Sequence, residues 1–260
     1  MITNVLGGLI LALFVSVFSG CSREDASLVS DSKPTPQSGE EEKHIKPVNN
    51  QSVGTISGEV KFVGTPPAFK KILVNKDIQA CGQEKFNEEL MVSSGQGMRW
   101  VVAWVELVNT TMGVASIQAK PVVLDQKSCQ FKPHVLLVPQ GGEVKILNPD
   151  GVLHNFHTES KINPPVNLAQ PGFRKEMSVK FERPEIFRIK CDAHGWMSGW
   201  IVVTQHPFYA VTDEDGKFRI DNIPVGKRLV RMWHETLGEF SKEVEVRAGK
   251  ETKIVFELKK

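Results

Sequence analysis

The chain has 260 residues, enough for one large domain or two small ones with accessory segments. Lys and Arg total 32 against 30 Asp and Glu, a net charge of +2, and no basic block is interleaved with aromatic residues. The sequence therefore lacks the clustered positive charge that nucleic-acid binding requires.

The first 21 residues have the pattern of a targeting signal. Residues 5–18 are an uncharged apolar run, too short for a comfortable membrane span. The run ends in Phe18-Ser19-Gly20-Cys21, which resembles the lipobox of bacterial lipoproteins, whose cysteine is acylated and becomes the new N-terminus. An uncleaved anchor and a plain secretory signal are the alternatives, because Phe18 stands where leucine is usual and no basic residue precedes the run. All three interpretations place the rest of the chain outside the cytoplasm, and the lipoprotein interpretation predicts a lipid-anchored protein of the bacterial cell envelope, on the periplasmic side.

Residues 22–52 are predicted to form a disordered tether. They are rich in Ser, Glu, Lys, Pro and Asn and have almost no apolar residues. Such a segment cannot bury enough surface to offset the entropy of ordering it. The tether would hold a folded unit away from the membrane that the lipid on Cys21 contacts.

From residue 54 onward the pattern is typical of β-structure. Residues 55–63 alternate apolar and polar side chains and stop at Gly64-Thr65-Pro66-Pro67. Further strands are predicted at 100–108, 121–124, 134–138, 143–147, 176–181, 185–190, 199–204, 218–220, 228–233, 243–246 and 252–258. No long stretch has a helical period. Short, evenly spaced strands with Gly- and Pro-rich turns predict an all-β protein built from sandwiches.

The four cysteines suggest that one thiol needs a metal. If Cys21 carries lipid, three remain for an oxidising compartment. Cys81 and Cys129 both lie in polar, turn-like sequence and could pair as a disulfide. Cys191 is then unpaired, and a free thiol outside the cytoplasm is open to oxidation unless it is held as a thiolate. A metal ion would hold it in that form.

One short loop and one distant histidine offer the ligands that copper prefers. Imidazole suits both oxidation states of copper, and thiolate and thioether sulfur favour the reduced one. Cys191, His194 and Met197 lie between two predicted strands, and His154 follows another strand after an Asn-Pro-Asp-Gly turn. The usual arrangement of such a site takes three ligands from one loop and the first histidine from another.

These residues resemble the cupredoxin family over 114–205. The run from Gly142 through Asp150, followed by His154-Asn155, is similar to the strand and first-ligand segment of that family. The Cys-x-x-His-x-x-Met spacing is similar to that of amicyanin, although Gly195 replaces the proline often found after the second histidine. The resemblance implies a cupredoxin-like Greek-key sandwich with one type 1 copper ion. It implies that the equatorial ligands are His154, Cys191 and His194 and that the axial ligand is Met197. Asn155 would tie the two ligand loops together. An exposed His194, with Trp196 beside it, would serve as the electron port.

Three further side chains near this site are ambiguous in the sequence. His157 could be an additional copper ligand or a surface residue. His134 stands at a strand start and is interpreted as structural. Trp196 could form a docking surface or could simply pack against the loop and make it rigid.

The C-terminal residues 206–260 resemble a second known module. The run 210–220, followed by Ile223-Pro224-Val225-Gly226, looks like the carboxypeptidase regulatory-like domain, a transthyretin-like β-sandwich without peptidase chemistry. This segment is short for a whole sandwich. Strand counting therefore predicts that segment 53–113 supplies missing strands, with the copper domain inserted between the two halves and a Cys81–Cys129 bridge fastening host and insert together.

The expected function is that of an envelope-anchored electron carrier with unidentified redox protein partners and no catalysis of its own. The alternatives are a copper-binding or copper-delivery protein that does not redox-cycle, an enzyme with an open copper site that uses His157 or His134, and a β-sandwich interaction module. The enzyme ranks lowest, because a single cupredoxin unit lacks the second domain that copper oxidases and nitrite reductases of the family use.

Overall fold

A computed structural model describes residues 52–107 and 121–259. The predicted signal, the lipidation site Cys21 and nearly all of the predicted tether lie outside the described residues. Within the described ranges, no helix has the length and apolarity needed to cross a membrane.

The described part of the chain is almost entirely β, which confirms the all-β prediction. Its single-turn helix α1 is Ile78–Cys81. The strands are β1 Val53–Phe62, β2 Lys71–Leu73, β3 Glu84–Phe86, β4 Val102–Glu106, β5 Val122–Asp125, β6 Val135–Pro139, β7 Glu143–Leu147, β8 His154–Thr158, β9 Asn167–Gln170, β10 Glu176–Lys180, β11 Glu185–Lys190, β12 Ser198–Thr204, β13 Tyr209–Val211, β14 Lys217–Pro224, β15 Gly226–His234, β16 Gly238–Val246 and β17 Glu251–Leu258.

Two sheets from the middle of the chain form the first sandwich. One sheet has the order β10-β7-β5 and the other β6-β12-β11-β8-β9, with parallel pairing of β5 to β7 and of β6 to β12. In β7 the buried residues Val144 and Ile146 alternate with half-buried ones, as expected for a strand with one face on the core. Phe131 and Phe156 meet edge to face in that core, with ring centroids 6.4 Å apart.

The second sandwich combines strands from both ends of the described chain. Its sheets have the orders β14-β1-β17 and β13-β4-β15-β16. β1 runs antiparallel to β14 and parallel to β17, and β4 is antiparallel to both β13 and β15. The buried side chains of Ile56 and Val60 from β1 share one apolar cluster with Ile220 and Phe256. The N-terminal strands therefore belong to the C-terminal sandwich, and the first sandwich lies between them in the sequence.

A buried polar contact joins the two sandwiches. The Glu235 carboxylate, just after β15, accepts a hydrogen bond from Trp200 Nε1 at 2.7 Å and pairs with His134 Nε2. The Trp200 ring also meets Trp233 at 4.8 Å between centroids. His134, interpreted as structural from the sequence, is thus a buried contact between sandwiches.

The segment 71–86, here called the cover segment, is part of the connection between β1 and β4 and contains the β2–β3 hairpin and α1. A disulfide joins Cys81 of α1 to Cys129 of the first sandwich. The buried side chain of Val74 packs into the core of that sandwich. The cover segment therefore belongs in space with the first sandwich, although the strands on either side of it belong to the second.

Candidate metal centre

The turn between β11 and β12 carries three of the four predicted ligands. Its backbone closes on itself: Cys191 N donates to Met197 O at 3.0 Å, and Met197 N donates to His194 O at 2.9 Å. Cys191 directly follows β11 and Met197 directly precedes β12, so the pairing of these two strands fixes both ends of the turn. Cys191, His194 and Met197 are all buried.

His154, the fourth predicted ligand, meets this turn from the start of β8. Its Nδ1 lies 3.2 Å from His194 Nδ1, and His194 Nδ1 lies 3.7 Å from Cys191 Sγ. Donor atoms of His154, Cys191 and His194 all lie within 4.8 Å of one another. Two imidazole nitrogens and one sulfur from residues up to 40 positions apart therefore converge on one point.

Two carboxylates orient the imidazole rings. His154 Nε2 donates to Asp150 Oδ2 at 2.9 Å, and His194 Nε2 donates to Asp77 Oδ2 at the same distance. An ionised carboxylate only accepts, so each Nε2 carries the hydrogen and each Nδ1 presents a lone pair. Carboxylate partners of this kind fix the tautomer of a metal-bound histidine and raise its basicity. Burial also lowers the pKa of His154, against the opposing effect of Asp150, which favours the neutral ring that a metal requires.

The surroundings of the Cys191 sulfur suit a thiolate that is bound to a cation. Burial raises the pKa of its thiol, and backbone N–H groups of Asn155, Ala193 and His194 act in the opposite direction. The Asn155 N–H donates directly to Cys191 Sγ at 3.3 Å. Since a metal binds the thiolate, the ion and these N–H groups would together stabilise a charge that burial alone disfavours.

The Asn155 side chain connects the two ligand loops. Asp192 N donates to Asn155 Oδ1 at 3.2 Å, and Asn155 Nδ2 donates to Asn167 Oδ1 at 2.6 Å. The first bond ties the residue after His154 to the residue after Cys191, in the manner the cupredoxin resemblance implies. Asn155 thereby restrains the separation of two candidate ligands.

The residues present fit a copper ion. Two neutral imidazoles, a cysteine sulfur and a buried methionine in the same turn form the nitrogen and sulfur set that copper takes in electron-transfer sites. Two lone pairs 3.2 Å apart repel each other unless a cation or a proton lies between them. His154, Cys191, His194 and Met197 would hold the ion, and the ion would supply one-electron redox chemistry.

The structure separates His157 from this group. Its Nδ1 bonds the Asp192 carboxylate at 2.8 Å, and the side chain is partly exposed. Three positions after His154 on β8, it lies on the opposite face of the strand. The converging donor atoms are those of His154, Cys191 and His194, without His157.

One feature implied by the cupredoxin resemblance is absent, namely an exposed His194. This side chain has 0% exposure, because Asp77 and Cys81 of the cover segment lie over its Nε2. The Trp196 ring lies 5.0 Å from the His194 ring between centroids, with the two planes tilted by 46°, and Trp196 Nε1 donates to Cys129 O at 3.2 Å. An electron leaving through His194 would therefore pass the cover segment.

Two site residues were missed by sequence reasoning. Asp150 had a local signal, because it lies in the turn four residues before His154 and accepts from its ring. Asp77 had none, because it lies 117 residues before His194 in a polar stretch with no motif. Its backbone has a φ of +51°, a left-handed conformation that aspartate tolerates better than most residues.

Comparisons with known proteins give limited similarity. No family model matches the chain, and no curated protein matches its sequence. A copper-containing nitrite reductase (NirK) from Thermus scotoductus SA-01 is 22% identical over 37% of this chain and 25% of its own length, with a TM-score of 0.32. An amicyanin mutant in the Cu(I) state is 20% identical over 39% of this chain and 98% of its own, with a TM-score of 0.30. An oxidised amicyanin mutant is 22% identical over the same shares, also at 0.30. The chain thus spans about a quarter of the nitrite reductase, and similarity at these TM-scores carries no conclusion about function.

Proposed function

We propose that this protein is a mononuclear copper protein that carries single electrons between redox protein partners. The observation that carries the proposal is the pair of Nδ1 atoms of His154 and His194, 3.2 Å apart, with Cys191 Sγ beside them. Both Nε2–H groups are engaged by carboxylates, so both lone pairs point toward the same place. This donor set serves both oxidation states of copper.

The rigidity of the site favours electron transfer over catalysis. His154, Cys191, His194 and Met197 are all buried, with exposures of 2% or less. Their positions are fixed by strand pairing, by the closed turn and by Asn155. A buried ligand set held in this way leaves little room for a substrate at the ion and little rearrangement when the charge changes.

The cellular setting is part of the proposal. A lipid on Cys21 would anchor the chain to a membrane of the bacterial envelope, and residues 22–52 would serve as the tether. The disulfide between Cys81 and Cys129 supports an oxidising compartment. Replacing Cys21 with serine should move the protein from the membrane fraction to the soluble extracytoplasmic fraction; membrane retention of Cys21→Ser would contradict the anchor.

Adding Cu(II) to the full chain in detergent tests the metal site. We expect one bound ion with intense thiolate-to-copper absorption in the visible range, reversible one-electron reduction, and loss of the colour in Cys191→Ser. His157→Gln is the matched control, since His157 lies outside the donor group, and should keep the colour. Tight binding without colour or redox cycling would favour copper delivery, and no binding would end the copper interpretation.

A further inference from the structure

The Cys81–Cys129 disulfide lies directly against a candidate copper ligand. Cys81 Sγ is 3.9 Å from His194 Nε2. The two sulfurs and a ring nitrogen of His194 all lie within 4.8 Å of one another, and all three residues are buried. The side of the His194 ring that faces away from Cys191 therefore has sulfur donors of its own.

A purely structural role accounts for only part of this arrangement. The bridge joins residues 48 positions apart, and closing such a loop stabilises a fold by reducing the entropy of the unfolded chain. A bridge elsewhere between the cover segment and the first sandwich would contribute the same. Its position beside the imidazole of a metal ligand adds a chemical property, because two thiolates and an imidazole form a donor set that Cu(I) prefers.

We propose that Cys81, Cys129 and His194 form a second Cu(I) site when the disulfide is reduced. A dithiol reductant supplies two electrons and two protons, so that the S–S bond becomes two thiols while the reductant becomes a disulfide. Cu(I) then binds both sulfurs as thiolates with release of two protons. His194 binds through Nε2 in its other neutral tautomer, so that the Nε2 hydrogen leaves and Nδ1 takes up a proton in its place. The proposal concerns donor atoms other than those of the electron-transfer site, except for the shared His194 ring.

Both cysteines are held in place by bonds other than the disulfide. The Asp150 carboxylate accepts from Ser128 N and Cys129 N, each at 2.7 Å, and Cys129 O accepts from Trp196 Nε1. On the other side, Cys81 N donates to Asp77 O at 2.9 Å within α1. These contacts would keep the sulfurs near His194 after the bridge opens.

The Asp77 carboxylate would have to release His194 Nε2 for an ion to bind there. Its carboxylate now accepts from His194 Nε2, and carboxylate oxygen is a poor ligand for Cu(I) compared with sulfur and imidazole. An ion at Nε2 would lie one imidazole ring from the group formed by His154 and Cys191. The dithiol form would thus receive Cu(I) beside the electron-transfer site and could load it.

The experiment uses full-length Cys191→Ser, which lacks the thiolate of the first site. One sample is reduced with dithiothreitol, the reductant is removed anaerobically, and Cu(I) is titrated against the competing chelator bicinchoninate. The other sample keeps its disulfide. We expect one Cu(I) in the reduced protein, bound at least 100-fold more tightly than in the oxidised protein, with two sulfurs and one nitrogen by X-ray absorption.

A second substitution distinguishes binding at this site from binding by two thiols that no longer have a fixed position. In reduced Cys191→Ser, His194→Gln should weaken Cu(I) binding roughly tenfold, whereas His157→Gln should leave it unchanged. Equal affinity in reduced and oxidised protein would overturn the proposal. So would indifference to His194→Gln, or loss of near-ultraviolet circular dichroism on reduction, since the sulfurs would no longer lie beside His194. Failure of the electron-carrier proposal would appear separately, as missing colour in oxidised wild-type protein.

Discussion

Asp77 and His194 are 117 residues apart in sequence, and a 2.9 Å hydrogen bond joins the carboxylate of one to Nε2 of the other. The bond makes the cover segment part of the candidate copper site, although that segment lies outside the region that resembles a cupredoxin. It also replaces solvent at the ring edge where the resemblance implies an exposed electron port. The environment of the ion is therefore set by two separate parts of the chain.

Replacing Asp77 with asparagine should weaken Cu(II) binding about tenfold, because the His194 ring loses the charged partner that orients it. Asparagine tolerates the positive φ at this position, so the change removes charge without straining the backbone. Competition titration with a chelator measures the affinity. Glu84→Gln is the control from the same segment, because Glu84 pairs with Lys71 in solvent, and equal losses in both variants would contradict the role of Asp77.

Removing the Asn155 side chain should weaken Cu(II) binding more than it changes the thiolate-to-copper absorption. Asn155→Ala removes the acceptor of Asp192 N, which should cost about 1 kcal/mol of unfolding free energy and about tenfold in Cu(II) affinity. The backbone N–H that reaches Cys191 Sγ remains, so the thiolate-to-copper band should persist. Visible spectra and chelator competition check both expectations. Of the contacts made with Asp192, Asn167→Ala removes only a long one to the carboxylate and keeps the bond from Asp192 N to Asn155 Oδ1, so it should have the smaller effect. The reverse order would rule out the tie between the loops.

Glu185 should make stability depend on pH in the acid range. Burial alone would raise the pKa of its carboxyl, but hydrogen bonds from Ser160 and from residues 161 and 163 outweigh it and lower the pKa from 4.5 to about 2. A depressed pKa stabilises the folded state above pH 4.5, and this contribution is lost as the pH falls from 4.5 toward 2.

Urea unfolding between pH 2 and pH 6 measures that contribution. With allowance for solvent screening of this partly exposed group, Glu185→Gln should be less stable than wild type by about 1 kcal/mol at pH 6, with the difference shrinking toward pH 2. Glu182→Gln, an exposed neighbour, should follow the wild-type curve. A constant gap between Glu185→Gln and wild type across the range would contradict the linkage.

Ile56 should be required for the fold of residues 209–258. Its side chain is fully buried in the second sandwich, so Ile56→Ala should cost about 3 kcal/mol of unfolding free energy. Limited proteolysis should then cut faster within β14 to β17, although the substitution lies at the other end of the chain. Val63→Ala, at an exposed position next to the same strand, is the control. Unchanged protection of residues 209–258 in Ile56→Ala would show that they fold without β1.

Sequence patterns predicted most of the sandwich strands because apolar alternation reports burial on one face. β7 and β11 have the predicted bounds, and both show this alternation. β8 was not predicted, since His154, Asn155 and Thr158 are buried polar residues there, and their burial depends on partners elsewhere. β2, β3 and β13 are only three residues each, too short to establish a period.

In the candidate site, too, the sequence predicts local features but not contacts between distant residues. Cys191, His194 and Met197 form a local motif, so the sequence alone marks them. Asp77 reaches the site only through the path of the cover segment, and the burial of His194 follows from that path. A motif specifies which atoms can bind an ion, but the electrostatics around them depend on tertiary contacts that no local spacing encodes.

The interleaved order of strands has a consequence during synthesis. β1 is synthesised before all the other described strands, yet its partners are β14 and β17, so one sheet of the second sandwich cannot be completed until β17 has been synthesised. The strands of the first sandwich, β5 to β12, are contiguous and can pair earlier. The candidate copper ligands His154, Cys191, His194 and Met197 would then come together while the second sandwich is still incomplete. During that period the first sandwich of the nascent protein would be folded and the second would not.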